Sequence, residues 1–378
     1  ALDWRSLFEK SDVKTFPRLR HEAPDKSQFI IKNKENYIMK ALVWTEKERV
    51  VIEERPIPDY TGKLLIKVAY AGICGSDVGI YCGKHPRAKA PLIMGHEFTG
   101  TVEAIGVGAD TTLQVGDKVV INPLYYCGKC RACLAGNTHV CKTLRFYGID
   151  VDGGMAEYAA IPDKCLLKLP EELDFKLATI IEPAAVVVHG LRMIKKMFHG
   201  SAAVVGLGPM GLLSALMLKD SGVSRLFCVE TQPARIEMAK ALGLNVINPM
   251  ECDVKEYIYA NNDDEGVDVL VEASGHPSAA KMMTDITGVR GEILLLSVFK
   301  EPTALDLRTV NFAEQQIIGT RVYTALDYKD AIDYLKQYGD KLAPVISHVK
   351  PLDEGQDVFQ EIISGKTNTM KVLFKISE

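Results

Sequence analysis

Residues 202–211 read Ala-Ala-Val-Val-Gly-Leu-Gly-Pro-Met-Gly, an apolar strand that runs into G-x-G-x-x-G and on into a helix. This fingerprint ties the chain to a strand–turn–helix unit built around a phosphate. Gly206 permits the tight turn, Gly208 lets backbone approach a pyrophosphate, and Gly211 lets the helix pack closely on the strand. Pro209 and Met210 open that helix, whose unpaired N–H groups and positive dipole end favour anions. Glu230 ends the next strand, nineteen residues after Gly211. Its carboxylate can accept hydrogen bonds from both ribose hydroxyls and would repel a 2′-phosphate, which favours NAD over NADP. Arg235, at the start of the following helix, either covers the adenine face or is a solvated surface residue.

The rhythm on either side of the fingerprint sets the architecture. From about Glu182, helical stretches (184–198, 209–219, 233–242, 277–287) alternate with apolar strands (202–206, 226–230, 245–247, 267–273, 292–298). That alternation predicts an α/β fold with a doubly wound parallel sheet, which binds ligand at the carboxyl ends of its strands. From Met39 to about Ile181 the pattern is mostly β. Runs such as 39–44, 64–70, 118–121 and 156–161 are separated by Gly, Pro and Asp turns, as in an irregular, partly antiparallel barrel. From about Ala325 a helix (328–338) and a strand (370–376) are expected to return to this first domain.

Residues 1–38 are rich in charge, lack a clear period and carry no apolar signal core, so they form an N-terminal extension. They read as a solvated arm or as an arm that docks on a neighbouring subunit, with Met39 a natural start for the enzyme proper. The net charge of −4, from 45 basic and 49 acidic residues, gives no basic surplus for nucleic acid or anionic membrane. No apolar run is long enough to span a bilayer.

Four of the nine cysteines fall close together as Cys127-x-x-Cys130-x-x-Cys133-x7-Cys141. Four thiolates from one loop close a tetrahedral Zn²⁺ and leave no open position, so this site would be structural. An iron–sulfur cluster would also accept four thiolates. Clustered cysteines that bind metal suit a reducing compartment and a cytoplasmic location. A second, mixed site is expected from Cys74, in a Gly-rich turn, and from Gly95-His96-Glu97. Thiolate, imidazole and carboxylate with one open position form a catalytic zinc arrangement. Glu182, before Pro183, is a fourth ligand, a partner of the metal's water, or a plain carboxylate at the start of a helix. Ser76 is a proton-passing hydroxyl or a turn serine.

Taken together, Gly72-Ile73-Cys74-Gly75-Ser76-Asp77, Gly95-His96-Glu97, Gly116-Asp117-Lys118-Val119, the four-cysteine lobe, Glu182-Pro183 and the glycine fingerprint resemble the zinc-containing medium-chain dehydrogenases. The sorbitol (polyol) and threonine dehydrogenase branches are the most similar. The resemblance runs from about Met39 to the C-terminus. It implies a GroES-like barrel over 39–181 and 325–378, and a Rossmann domain over 182–324. It implies catalytic zinc at Cys74, His96 and Glu97, with Glu182 as ligand or water partner. It also implies a nicotinamide lined by Ser297, Val298, Phe299, Thr320 and Arg321, and a homo-oligomer, a tetramer, joined through Rossmann sheet edges.

Two departures concern the substrate. Gly79 stands where the polyol branch has a histidine, and Ile80 where it has a substrate-contacting tyrosine; the threonine branch's Thr and His pair is also absent. The expected activity is oxidation of a secondary alcohol on a small polyol, cyclitol or related hydroxylated molecule, with hydride transfer to NAD. Tyr81, His85, Arg321 and Tyr323 are expected as further hydroxyl partners. Alternatives are threonine or butanediol dehydrogenase-like activity, a zinc-free reductase, a thiol-linked formaldehyde oxidiser, and a noncatalytic NAD-sensing protein.

Overall fold

Short apolar runs punctuated by turn residues pair into antiparallel sheet along the first half of the chain. The computed structural model describes residues 38–196, 200–365 and 368–377. The expected arm over 1–38 falls outside the described residues except for Ile38. The first part runs β1 (Ile38–Glu46), β2 (Arg49–Pro56), β3 (Leu64–Gly72), α1 (Gly75–Tyr81), β4 (Leu92–Ile93), β5 (Glu97–Ile105), β6 (Lys118–Ile121), β7 (Leu124–Tyr125), α2 (Arg131–Leu134), β8 (Arg145–Phe146), β9 (Tyr158–Ile161), β10 (Leu166–Lys168) and α3 (Phe175–Ala178). The second runs α4 (Ile181–Met193), β11 (Ser201–Val205), α5 (Pro209–Asp220), β12 (Arg225–Val229), α6 (Pro233–Ala241), β13 (Asn245–Ile247), α7 (Val254–Ala260), β14 (Val267–Glu272), α8 (Pro277–Ile286), β15 (Thr287–Leu295), α9 (Leu307–Phe312), β16 (Gln316–Gly319) and α10 (Ala325–Leu342). The chain closes with β17 (Ile346–Pro351), α11 (Gly355–Ser364) and β18 (Lys371–Lys375).

Two compact units result. The first holds the chain up to Glu182 and from His348 onward, apart from Asn368–Met370. Its main sheet runs β10-β6-β5-β3-β18-β17, with β9 also paired to β3, and a smaller sheet runs β2-β1-β4. β3 is buried along nearly its whole length, so it reads as a continuous apolar run rather than an alternating one. Its neighbours β5 and β18 are antiparallel to it, and their registers place Gly72 opposite both Glu97 and Leu373.

The second unit holds Pro183–Ser347 and Asn368–Met370. Its parallel sheet has the order β13-β12-β11-β14-β15-β16, the doubly wound order with its reversal between β11 and β14. All five residues of β11 are buried, as a central parallel strand requires. Ala203, Val205, Phe227, Val229, Leu270 and Ile293 from the sheet form one cluster with Ile258 of α7 and Met283 of α8.

Two local expectations are corrected. The turn expected around Cys74 leads directly into α1, because the Asp77 carboxylate accepts the Cys74 N–H at 2.8 Å and closes the first turn. The return to the first unit comes at His348, not near Ala325. Polar anchors hold α10 in the second unit: Tyr334 donates to Asp220 at 2.8 Å, Asp327 lies 2.8 Å from His189 Nδ1, and Asp330 pairs with Arg192.

Candidate functional site

Among the described residues, two clusters of metal-ligating side chains come together, and both lie in the first unit. Cys74, at the N-cap of α1, meets His96, which precedes β5, and Glu97, which opens it, with one ligand atom from each within 4.8 Å of the others. The chain reaches His96 through Gly95 at φ +92, where an added Cβ would also strike Met155 at 2.8 Å. Ser76 Oγ lies 3.4 Å from His96 Nε2. Glu182 is buried at the start of α4, but its carboxylate is not among the clustered ligand atoms.

Two residues of this pocket escape a reading of the sequence. Asp77 is fully buried, and its Oδ1 lies 3.6 Å from His96 Nδ1, the ring nitrogen away from Ser76. Lys371 of β18 is 3% exposed and donates to both Glu97 oxygens, at 2.8 and 2.7 Å, and to the Ile73 carbonyl at 3.2 Å. Lys371 is the only signal the sequence offers, a lysine inside an apolar strand. Asp77 sits inside the quoted motif and carries no mark of its own.

This chemistry fits a divalent cation. Half-buried Cys74 and buried Asp77, Glu97 and Glu182 bring potential negative charge to this region, against which Lys371 is the one buried lysine among the described residues. Burial by itself would lower the His96 pKa, but the Asp77 carboxylate and the Cys74 sulfur outweigh it and hold His96 well above its usual value. The pocket therefore draws positive charge to the imidazole, and a metal ion supplies that charge while freeing a ring nitrogen to ligate.

The second cluster is Cys127, Cys130, Cys133 and Cys141. Four of its sulfur–sulfur separations are 3.5, 3.5, 3.9 and 4.0 Å. Disulfide sulfurs lie about 2.05 Å apart, whereas a tetrahedron of thiolates at about 2.3 Å from zinc has edges of about 3.8 Å. Backbone N–H groups of Lys129 and Cys130 point at Cys127 and pull its pKa to about 6, which favours the thiolate a metal needs. The same effect, from Cys133 and Lys142, lowers Cys130.

The glycine fingerprint lies in the second unit. Gly206 has φ +88, and a Cβ on Gly211 would sit 1.8 Å from the Gly206 carbonyl oxygen, so the helix can approach only without a side chain. A Cβ on Gly208, the N-cap of α5, would meet only Arg235 Nη1, at 3.7 Å, which leaves the backbone before Pro209 and Met210 open to a phosphate. Glu230 Oε2 accepts from Leu207 N at 2.8 Å, and Oε1 from Thr231 N and Gln232 N at 2.7 and 2.9 Å. Arg235 stands 3.7 Å from the same carboxylate. Thr231 Oγ1 also donates to Oε1, so Glu230 is fixed in place and its remaining acceptor capacity lies on Oε2.

Of the segments expected beside a nicotinamide, Ser297 is tied to the buried Glu272, Val298 is 87% exposed, and Phe299 packs against the core cluster. Thr320 has a buried hydroxyl with no hydrogen-bond partner among the described residues, Arg321 is exposed, and Val322 holds φ +45. A β-branched residue at positive φ is strained, and such strain persists where surrounding structure imposes it. The substrate-partner expectation fails at two tyrosines. Tyr81 stacks on Phe359 with ring centres 4.9 Å apart and receives a bond from Gln356 at 3.0 Å, so it serves the core. Tyr323 is 1% exposed and packs on Tyr328.

Comparison with known proteins matches residues 60–171 to the alcohol dehydrogenase GroES-like domain and residues 209–337 to the zinc-binding dehydrogenase domain. A 2-dehydro-3-deoxy-L-galactonate 5-dehydrogenase of Pseudoalteromonas atlantica is 36% identical, over 85% of this chain and 94% of its own. An L-threonine 3-dehydrogenase of Bacillus velezensis is 32% identical, over 87% and 96%. Among solved structures, a zinc-binding dehydrogenase of Sinorhizobium meliloti bound to NADP superposes with a TM-score of 0.82 at 27% identity, covering 90% of this chain and 100% of that one. An alcohol dehydrogenase of Escherichia coli complexed with NADH gives 0.83 at 29%, covering 89% and 99%.

Proposed function

The chain belongs to the zinc-containing medium-chain dehydrogenases, and on that premise we propose that it oxidises a secondary alcohol on a small polyhydroxylated molecule with NAD as hydride acceptor. Zinc-dependent alcohol oxidation with a nicotinamide cofactor follows from membership itself. The observation that carries the finer reading is the set of half-buried Cys74 and buried His96 and Glu97 with Ser76 beside it. A hydrocarbon alcohol would leave such polar neighbours unpaired, which is costly in a closed site. The relative named for a deoxysugar acid supports the same reading.

A zinc ion held at such a centre would supply Lewis acidity toward a bound hydroxyl, and a bound nicotinamide would supply the hydride acceptor. Cys74, His96 and Glu97 would hold the metal, with Glu182 as a further ligand or water partner. Asp77 faces the His96 ring on its Nδ1 side, 3.6 Å away, where it would orient the ring once Nε2 ligates. Lys371 neutralises Glu97 and orients both of its oxygens. Ser76 can take the proton released from the substrate hydroxyl and pass it to water. In the second unit, the turn at Gly206–Gly211 would receive the pyrophosphate and Glu230 the adenosine ribose. We assign a second, structural zinc to Cys127, Cys130, Cys133 and Cys141. We also infer a homo-oligomer joined along β16, the edge strand of its sheet.

The test is a screen of NAD⁺ and NADP⁺ reduction over polyols, cyclitols, sugar acids, diols, plain secondary alcohols and L-threonine. Vicinal diols or sugar acids with NAD⁺ should give the highest kcat/KM. Ethanol, a plain secondary alcohol or L-threonine leading the series would refute the substrate reading, and equal use of NADP⁺ would refute the cofactor reading.

A further inference from the structure

Glu272 closes β14 and is fully buried, with no lysine or arginine paired to it among the described residues. Its neighbours in the strand, Leu270 and Val271, are apolar, and a buried carboxylate is costly unless donors surround it. Four side-chain and backbone donors do so, and they come from two loops. Oε1 accepts from the N–H groups of Ser274 and Gly275, each at 2.9 Å, and from Ser274 Oγ at 2.5 Å. Oε2 accepts from Ser297 Oγ. The Glu272 carbonyl accepts from the Leu296 and Ser297 N–H groups at 2.9 and 3.1 Å. One residue therefore joins the loop after β14 to the loop after β15.

This junction lies where a doubly wound sheet takes its ligand. β14 stands beside β11 at the reversal of the strand order, with Val205 opposite Glu272, and the crevice outside the carboxyl ends of such strands is the binding site. The junction also touches the glycine fingerprint. The Ala273 N–H donates to the Val205 carbonyl at 2.9 Å. A Cβ on Gly206 would lie 2.7 Å from the Ser274 Cβ, and one on Gly211 would lie 3.3 Å from that of Ala273. Gly275 turns at φ +64, and a Cβ there would meet Ser297 Oγ at 3.3 Å. The phosphate turn, Ser274–Gly275 and Ser297 thus form one packed wall, two parts of which Glu272 ties together. Glu230 follows β12, on the other side of β11, so the adenosine it would hold and this wall flank the phosphate turn from opposite sides.

We propose that Glu272 is a positioning residue for the dinucleotide: it holds the Ser274–Gly275 and Ser297 loops in the shape that receives the cofactor beyond its adenosine. It touches no reacting atom. Without the tie, the two loops would be ordered only as the cofactor binds, and that ordering would be subtracted from its affinity. The inference rests on a nicotinamide dinucleotide in the second unit, which follows from family membership, and not on the choice of NAD over NADP.

Glu272→Ala removes the tie. Glu272→Gln preserves it, because the amide oxygen can accept from Ser274 and Gly275 while the amide N–H donates to Ser297 Oγ. In the alanine variant, the Kd and KM of the preferred dinucleotide should rise about tenfold, with kcat at saturation within about threefold, since the loss falls on binding common to ground and transition states. AMP, which occupies only the Glu230 side, should bind wild type and variant equally. The glutamine variant should stay within about twofold of wild type on every measure. An unchanged dinucleotide Kd, an equal loss for AMP, or a glutamine variant as impaired as the alanine one would overturn the role of Glu272. Should the alanine variant not fold, Glu272→Leu, which fills the same space and accepts no bond, carries the same expected results. Wild-type preference for NADP⁺ would refute the NAD reading alone, and Glu272 would then stand or fall on the NADP⁺ titration.

Discussion

Single residues set the character of the metal pocket. His96 Nδ1 lies 3.6 Å from Asp77 Oδ1 and Nε2 lies 3.4 Å from Ser76 Oγ, so the ring stands between these two side chains. Removing the charge of a group that orients a ligand typically costs about 10–100-fold in metal affinity. Asp77→Asn keeps the volume and the helix cap, and should weaken zinc by that factor in a chelator competition while the far-ultraviolet spectrum stays unchanged. Unaltered affinity would show that Asp77 serves only to cap α1. The pair Glu97–Lys371 raises a different question, because a buried ion pair is weak grounds for stability. Its value here is position: both carboxylate oxygens face one ammonium, so the approach of Glu97 to a metal is controlled from β18.

At the scale of elements, the contrast is between packed strands and the cysteine loop. α2 has no buried residue, and Leu134 is 76% exposed, so the loop around it gains little from apolar burial. Metal binding would supply the missing free energy, as in other small zinc-organised folds. Cys130→Ser should therefore lower the bound zinc from two per chain to one and reduce Tm by about 5 °C or more. Two zinc ions retained per chain, or an unchanged Tm, would remove the structural assignment. α10 makes the opposite case. Its Thr324–Asp327 capping box and the Asp327 contacts with His189 and Arg192 dock it by polar links, where a sequence pattern suggests only an amphipathic helix.

At the scale of the whole molecule, the outermost strand β16 is paired, among the described residues, on one side only, by β15. Beside it stand Leu307 at 68% exposure and Phe312 at 81%, with Val289 at 66%. An open strand edge flanked by apolar side chains invites pairing with a second copy about a two-fold axis. Light scattering should give a multiple of the 41.6 kDa chain, and Phe312→Asp with Leu307→Asp should reduce that mass. A wild-type monomer at micromolar concentration would reject the assembly. No helix among the described residues is long and apolar enough to cross a membrane.

What the sequence determined by itself is what depends on neighbours along the chain. The glycines at 206, 208 and 211, the spacing of four cysteines, the alternation of strand and helix, and Gly95-His96-Glu97 all act through local backbone geometry. The doubly wound sheet and both ligand clusters were legible for that reason. Tertiary structure decided the rest, because it pairs residues with no local signature. Lys371 reaches Glu97 across 274 positions only because β18 lies against β3, which in turn lies against β5. Tyr81 and Tyr323 look like polar partners in sequence, yet packing turns both into the core. α10 joins the second unit because Asp220, His189 and Arg192 are placed to receive it, and hydrophobic period carries no information about which unit supplies such partners.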